Sequence, residues 1–164
     1  MILNGLKLLS RRDDEPAPAL APEAVILRNV SKNYSAGKGA LAAVSAVSLD
    51  IRCGELTVLM GPSGSGKTTL LSMMGGILRP TEGEIIICGQ DLAVMPEERR
   101  SAMRLAHVGF VFQSYNLFPT LTARQNVEVA LDLKGIKGRR RGRSALALLD
   151  QVELSDKADE YPAD

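Results

Sequence analysis

The sequence predicts an α/β fold. Two observations carry this expectation. Short β-branched runs alternate with helical segments, and one apolar run ends in a glycine-rich loop that opens a helix. The alternation also predicts a parallel component to the sheet. Composition agrees with a packed domain: of 164 residues 45% are hydrophobic, and 20 Lys and Arg offset 19 Asp and Glu to leave a formal charge of +1. Such a chain has apolar material for a core and too little net charge to be held open by self-repulsion. Without a global positive field, nucleic acid is not an expected partner. No apolar run reaches the roughly 20 residues that cross a bilayer.

Taken in order, residues 1–24 read as a flexible lead-in, apolar at the start and Pro-rich from Pro16 to Pro22. Its charges follow the apolar stretch, the wrong order for a secretory signal. AVILRNV (24–30) reads as a strand. After a glycine-containing loop at Ser35 to Gly39, Val47, Leu49 and Ile51 alternate with Ser48 and Asp50, the pattern of a half-buried strand. Cys53-Gly54 turns the chain into ELTVLM (Glu55 to Met60), whose unbroken apolar run predicts a strand buried on both faces. TLLSMMGGIL (69–78) is helical in composition, Arg79 to Gly83 form a turn, and Glu84 to Cys88 form a strand. Pro96 to Leu105 predicts a polar surface helix with Pro in its first turn. Val108 to Phe112 returns to strand. In LTARQNVEVALDLKG (121–135), Thr122 and Gln125 make a capping box. The helix it starts keeps Val127, Ala130, Leu131 and Lys134 on one face and ends at Gly135. A last helix is expected from about Arg143 to Val152, with Leu146, Leu149 and Val152 on one side. Cys53 and Cys88 lack metal-site or disulfide spacing, and His107, the sole histidine, is read as structural.

The chemistry concentrates in Gly61-Pro62-Ser63-Gly64-Ser65-Gly66-Lys67-Thr68, which matches G-x-x-x-x-G-K-[ST], the phosphate-binding loop. Glycines permit positive φ and leave room for an anion. Amides from Gly64 to Thr69 can converge on a phosphate, and the following helix adds unpaired N–H groups and the positive end of its dipole. Lys67 supplies a point charge for the β- and γ-phosphates, and the Thr68 hydroxyl can ligate Mg²⁺. The expected ligands are therefore a nucleotide and Mg²⁺, with ATP the nucleotide that the family resemblance below implies.

The loop GPSGSGKTTLL, the later RPTEGEI and the segment VGFVFQSYNLFPTLTARQNV together resemble the nucleotide-binding domain of ABC transporters, over residues 25–164. The fold this implies is a P-loop NTPase sheet with an N-terminal antiparallel part, then a helical subdomain beginning near 122. By position, Gln113 looks like the Q-loop glutamine, which in the family reaches Mg²⁺ and the attacking water. An amide oxygen suits a hard cation without adding charge. Tyr34 lies where the family places its base-stacking aromatic. The resemblance implies an ATPase working as a homodimer with a second ATP-binding subunit. It would act against a separate membrane permease, at the inner face of the cell membrane. LTARQNVEVAL further resembles the ATPases serving macrolide, lipoprotein and glycolipid export.

The residues end at a Tyr-Pro segment that in the family precedes the LSGGQ signature, so the sequence resembles the front part of the domain. Walker B acids and the switch histidine are likewise not among its residues. The chain alone is therefore expected to be poorly stable, with ELTVLM exposed as a bare edge. It should also bind ATP weakly without turning it over. Two other classes share parts of the pattern: a soluble ABC ATPase that moves no solute, and a small-molecule kinase. The first usually carries inserts not seen between Tyr34 and Gln113; the second leaves Tyr34 and Gln113 unexplained. The basic cluster Lys134 to Arg143 fits a solvated loop between helices or a contact with anionic lipid.

Overall fold

A computed structural model describes residues 2–3, 6–10, 23–36 and 39–162. The strands are β1 (Ile2–Leu3), β2 (Leu6–Ser10), β3 (Glu23–Ala36), β4 (Gly39–Arg52), β5 (Thr57–Met60), β6 (Glu82–Ile87) and β7 (Gln90–Asp91). The helices are α1 (Lys67–Met74), α2 (Glu97–His107), α3 (Ala123–Leu133) and α4 (Gly138–Asp150), followed by a 3-10 turn at Ser155–Lys157. They divide into two compact units, Met1–Val108 and Gly109–Asp164.

The first unit holds a four-stranded sheet in the order β4-β3-β6-β7 and a three-stranded one in the order β1-β2-β5. Every pairing among the described residues is antiparallel, so the expected parallel component is not seen there. Val108 to Phe112, expected as a strand, has extended backbone at Val108 (φ −121°, ψ 133°) but forms no ladder. Its β-branched and aromatic side chains suit a strand, yet β preference expresses a partner surface that this segment does not meet.

Two expectations for β5 also change. Leu6–Ser10, counted with the lead-in, pairs with it in a register running from Lys7↔Met60 to Ser10↔Thr57, so one edge is occupied, while the other has no ladder partner among the described residues. Burial alternates along β5 instead of covering both faces: Thr57 and Leu59 are half-buried, Val58 and Met60 exposed. Burial on both faces belongs to parallel strands covered by crossover helices, whereas β5 lies in an antiparallel sheet with one packed side.

The β3–β4 hairpin is bent by irregularities in its register. Leu27↔Leu49 gives way to Val30↔Val47, and Lys32↔Val44 to Asn33↔Ala42. The last step leaves Ala43 as the extra residue of a bulge. Asn29 (φ 49°) sits at the offset between Leu27 and Val30 and Ala46 (φ 46°) at the one between Val30 and Lys32, both in left-handed conformations. Side chains satisfy the backbone there: Asn29 N–H donates to Ser48 Oγ at 3.0 Å, and Ala46 N–H to Ser31 Oγ at 2.9 Å. Beneath this hairpin Leu27, Val30, Val44, Val47, Ile85 and Ile87 form one core with Leu70 and Met73 of α1 and Met103 of α2. Arg100, buried on α2, donates to Gly76 O at 2.8 Å, joined there by Arg104 at 2.9 Å. Burial pulls the Arg100 pKa below its ordinary value, and Glu97 at 3.1 Å opposes the shift.

The second unit packs α3 on α4. The capping box forms as the sequence predicts: Gln125 N–H donates to Thr122 Oγ1, and Thr122 N–H to Gln125 Oε1 at 2.9 Å. Carbonyls of Ala158 and Glu160 accept from the Arg124 and Ala123 amides, so the C-terminal segment closes the same helix end. Helix α4 begins at Gly138, earlier than expected, and takes Arg139 to Arg143 into its first turns. Arg141 is held by Glu128 at 3.3 Å and Asp132 at 3.0 Å, opposite charges on the facing helix. The buried face of α4 is Ala145 and Leu149, with Leu146 and Val152 exposed. Four-residue spacing aligns 145 with 149, and the small alanine permits close helix approach.

Candidate phosphate-binding site

Strand β5 delivers the chain into Gly61 to Gly66, and α1 leaves from Lys67. Gly64 (φ 78°) and Gly66 (φ 86°) both hold left-handed backbone, a conformation that suits glycine. They differ in what surrounds them. Nothing lies within 4 Å of a Cβ built on Gly64, whereas one on Gly66 would strike the Ala43 carbonyl. The bulge in β4 thus brings its backbone against the foot of the loop, and only a residue without a side chain fits between them.

Gly66 is also the N-cap of α1, with no side-chain acceptor to satisfy the first amides. No acidic residue occupies the first turn. The helix therefore presents unpaired amide hydrogens and an unopposed positive dipole end, the two properties that attract an anion. Lys67, half-buried, folds back over the loop: Nζ donates to Gly61 O at 2.9 Å, Pro62 O at 2.7 Å and Ser65 Oγ at 3.4 Å. All three ammonium protons have neutral acceptors, which an anionic oxygen at the same place would outcompete. Ser65 N–H closes the turn onto Pro62 O at 3.3 Å. Pro62 and Ser63 are exposed at the loop tip, Thr68 is exposed at the helix start, and Thr69 is half-buried one residue on. The Thr68 hydroxyl is a hard oxygen donor of the kind Mg²⁺ takes.

Tyr34 lies near the end of β3 opposite Leu41, two residues from the bulge at Ala43 that touches Gly66. With strand spacing near 4.8 Å and a rise near 3.4 Å per residue, its Cα lies roughly 8 Å from that of Ala43. One hairpin therefore presents an aromatic ring, 41% exposed, and braces the glycine loop. The Lys32 ammonium sits 5.6 Å from the ring centroid.

Gln113 belongs to the second unit, on an exposed turn after the stacked rings of Phe110 and Phe112 (centroids 5.6 Å apart). Tyr115 (φ 58°) and Asn116 (φ 57°) continue it in left-handed backbone. Asn126 was not singled out in the sequence, yet it holds the chain that follows. Its Nδ2 donates to the carbonyls of Phe118 (3.1 Å), Leu121 (2.9 Å) and Thr122 (3.0 Å), while Oδ1 accepts from Phe118 N–H at 2.7 Å. The available signal was an amide side chain placed four residues after the helix cap, where it can turn back on the preceding loop.

Loop, helix end and ammonium define a phosphate-loop nucleotide-binding protein. The ABC transporter family model matches residues 44–164, and the chain belongs to that family. Tyr34 lies before the matched span; the glycine loop and Gln113 lie within it. The chain is 41% identical over 136 residues to an uncharacterized ABC transporter ATP-binding protein of Thermotoga maritima, covering 83% of this chain and 58% of the relative. Against the macrolide export ATP-binding/permease protein MacB of Brucella abortus the identity is 39% over 137 residues, covering 84% and 21%. Against the spermidine/putrescine import ATP-binding protein PotA of Frankia alni it is 44% over 142 residues, covering 87% and 29%. Among solved structures, the dimeric ATP-binding cassette MJ0796 bound to ADP and Pi superposes with a TM-score of 0.78 at 38% identity, covering 85% of this chain and 62% of that one. The chain thus spans less than two thirds of each of these proteins' length, from 21% to 62%. No helix among the described residues is long and apolar enough to cross a membrane.

Proposed function

We propose that this chain is the nucleotide-binding part of a transport ATPase: it holds ATP with Mg²⁺, pairs with a second ATP-binding subunit, and drives a separate membrane permease. The carrying observation is the uncapped start of α1 behind Gly64 and Gly66, with the Lys67 ammonium folded over the loop. On binding, the amides from Gly64 to Thr69 take the β-phosphate, and Lys67 exchanges its loop carbonyls for β- and γ-oxygens. When bound, Mg²⁺ would spread the charge of the triphosphate; the Thr68 hydroxyl is an oxygen donor assigned to it, and the resemblance to the family gives Gln113 the same role. Tyr34 stacks on the base. The dimer is supported by the paired cassette of MJ0796, and the permease by the names of the transporter relatives. Relatives at 37–44% identity bear export and import names alike, so direction is assigned to the membrane partner; the exporter-like segment LTARQNVEVAL favours export.

The groups assigned here bind and polarise a triphosphate, so binding is the decisive measurement. ATP titrated into the chain with Mg²⁺ should give saturable binding that Lys67→Ala weakens about 10- to 150-fold, the value of a hydrogen bond to a charged group. Equal affinity in the wild-type and Lys67→Ala chains would overturn the reading.

A further inference from the structure

The turn between α1 and β6 does more than connect them. Strand β6 starts at Glu82, opposite Ser31, so the part of β3 that carries Tyr34 runs beyond its end. At Asn33 the backbone N–H and C=O that face this side would have no ladder partner. The Thr81 hydroxyl fills both roles: it accepts from Asn33 N–H at 3.0 Å and donates to Asn33 O at 3.4 Å. One side chain thereby imitates the next residue of a strand. Its own N–H donates to Ser31 O at 2.8 Å, which sets the turn against β3. Gly83 makes that approach possible, since a Cβ there would collide with the Arg28 and Asn29 carbonyls. On the same turn, Arg79 O accepts from Lys32 Nζ at 2.8 Å, the ammonium that also faces the Tyr34 ring.

We infer that Thr81 is a positioning residue for Tyr34: its hydroxyl prolongs the sheet by one step and so fixes the backbone from which the base-stacking ring projects. The bulge at Ala43 sits beside this pair on the other strand, so the β4 side of the ladder is irregular where the ring needs support. Only a side chain that both donates and accepts can serve, which admits serine and excludes valine of the same shape. The assignment rests on Tyr34 being the base-stacking residue, and it links the end of the helix behind the phosphate loop to the base end of the nucleotide.

The test uses the 164-residue chain with Mg²⁺ and two ligands, ATP and inorganic triphosphate, the second lacking a base. T81V should weaken ATP about threefold to tenfold and leave triphosphate within twofold. T81S should keep both at wild-type values, and T81A, the other hydroxyl-free variant, should behave as T81V does. Y34A should weaken ATP at least as much, and the T81V/Y34A double variant should be no weaker than Y34A alone. Equal losses of ATP and triphosphate in T81V and T81A would mark general damage and overturn the assignment. So would unchanged ATP affinity in both of them alongside a loss in Y34A. Unchanged ATP affinity in Y34A itself would sink the base-stacking reading and the assignment with it.

Discussion

Replacing Gly66 by alanine isolates the contact that ties the phosphate loop to the β3–β4 hairpin. Two costs apply. Gly66 has φ 86°, and an L-residue in left-handed backbone loses about 1–2 kcal/mol. The new Cβ also enters the Ala43 carbonyl, a backbone atom that can withdraw only if the hairpin shifts. Overpacking of this kind costs about 1–3 kcal/mol, giving about 2–5 kcal/mol altogether. Gly54 is the control. It has φ 77° and open space around an added Cβ, so Gly54→Ala carries the dihedral cost alone, about 1–2 kcal/mol. Urea unfolding of both variants without nucleotide, with midpoint and slope fitted separately, reads the difference. Gly66→Ala should lose roughly twice the stability that Gly54→Ala loses. Equal losses would refute the argument that the bulge carbonyl defines the foot of the loop.

Thr122→Ala removes the hydroxyl that accepts from Gln125 N–H, and should cost about 1 kcal/mol, read as a lowered urea midpoint with Thr122→Ser close to wild type. Asn126→Ala leaves the Phe118 amide and the Leu121 carbonyl without their side-chain partner, while the Phe118 and Thr122 carbonyls keep backbone donors at Leu121 and Asn126. We expect a loss of about 1–3 kcal/mol together with faster hydrogen exchange at Phe118; unchanged exchange there would show that Asn126 does not hold the segment.

Much of the local architecture was legible because its causes are local. The capping box needs only Thr122 and Gln125 at the right spacing, and it formed as expected. The loop from Gly61 to Thr68 combines a strand exit, glycines at positive φ and a helix start, all within a dozen residues of chain. The misreadings share a different origin. Val108 to Phe112 has strand-like side chains but no ladder, and Glu55 to Met60 has an apolar run but only alternating burial. Both depend on which segment lies alongside, a fact held elsewhere in the chain. Helix α4 starts earlier than the sequence predicts, because the arginines from 139 to 143 look like solvated loop. The carboxylates of Glu128 and Asp132 on α3 hold Arg141, in the middle of that stretch.

From residue types and their spacing alone follows an anion cradle with an ammonium at its mouth, since this requires particular residues a few positions apart; the family followed from the resemblance of three longer segments to ABC transporter nucleotide-binding domains. Tertiary structure decided what braces that cradle. The Ala43 carbonyl reaches Gly66 through a bulge in β4, and the Thr81 hydroxyl reaches Asn33 across a gap of 48 positions. A hydrogen bond or a steric limit acts over about 3 Å of space whatever the distance along the chain, so these supports became visible only once the hairpin had been bent and its neighbours brought against it.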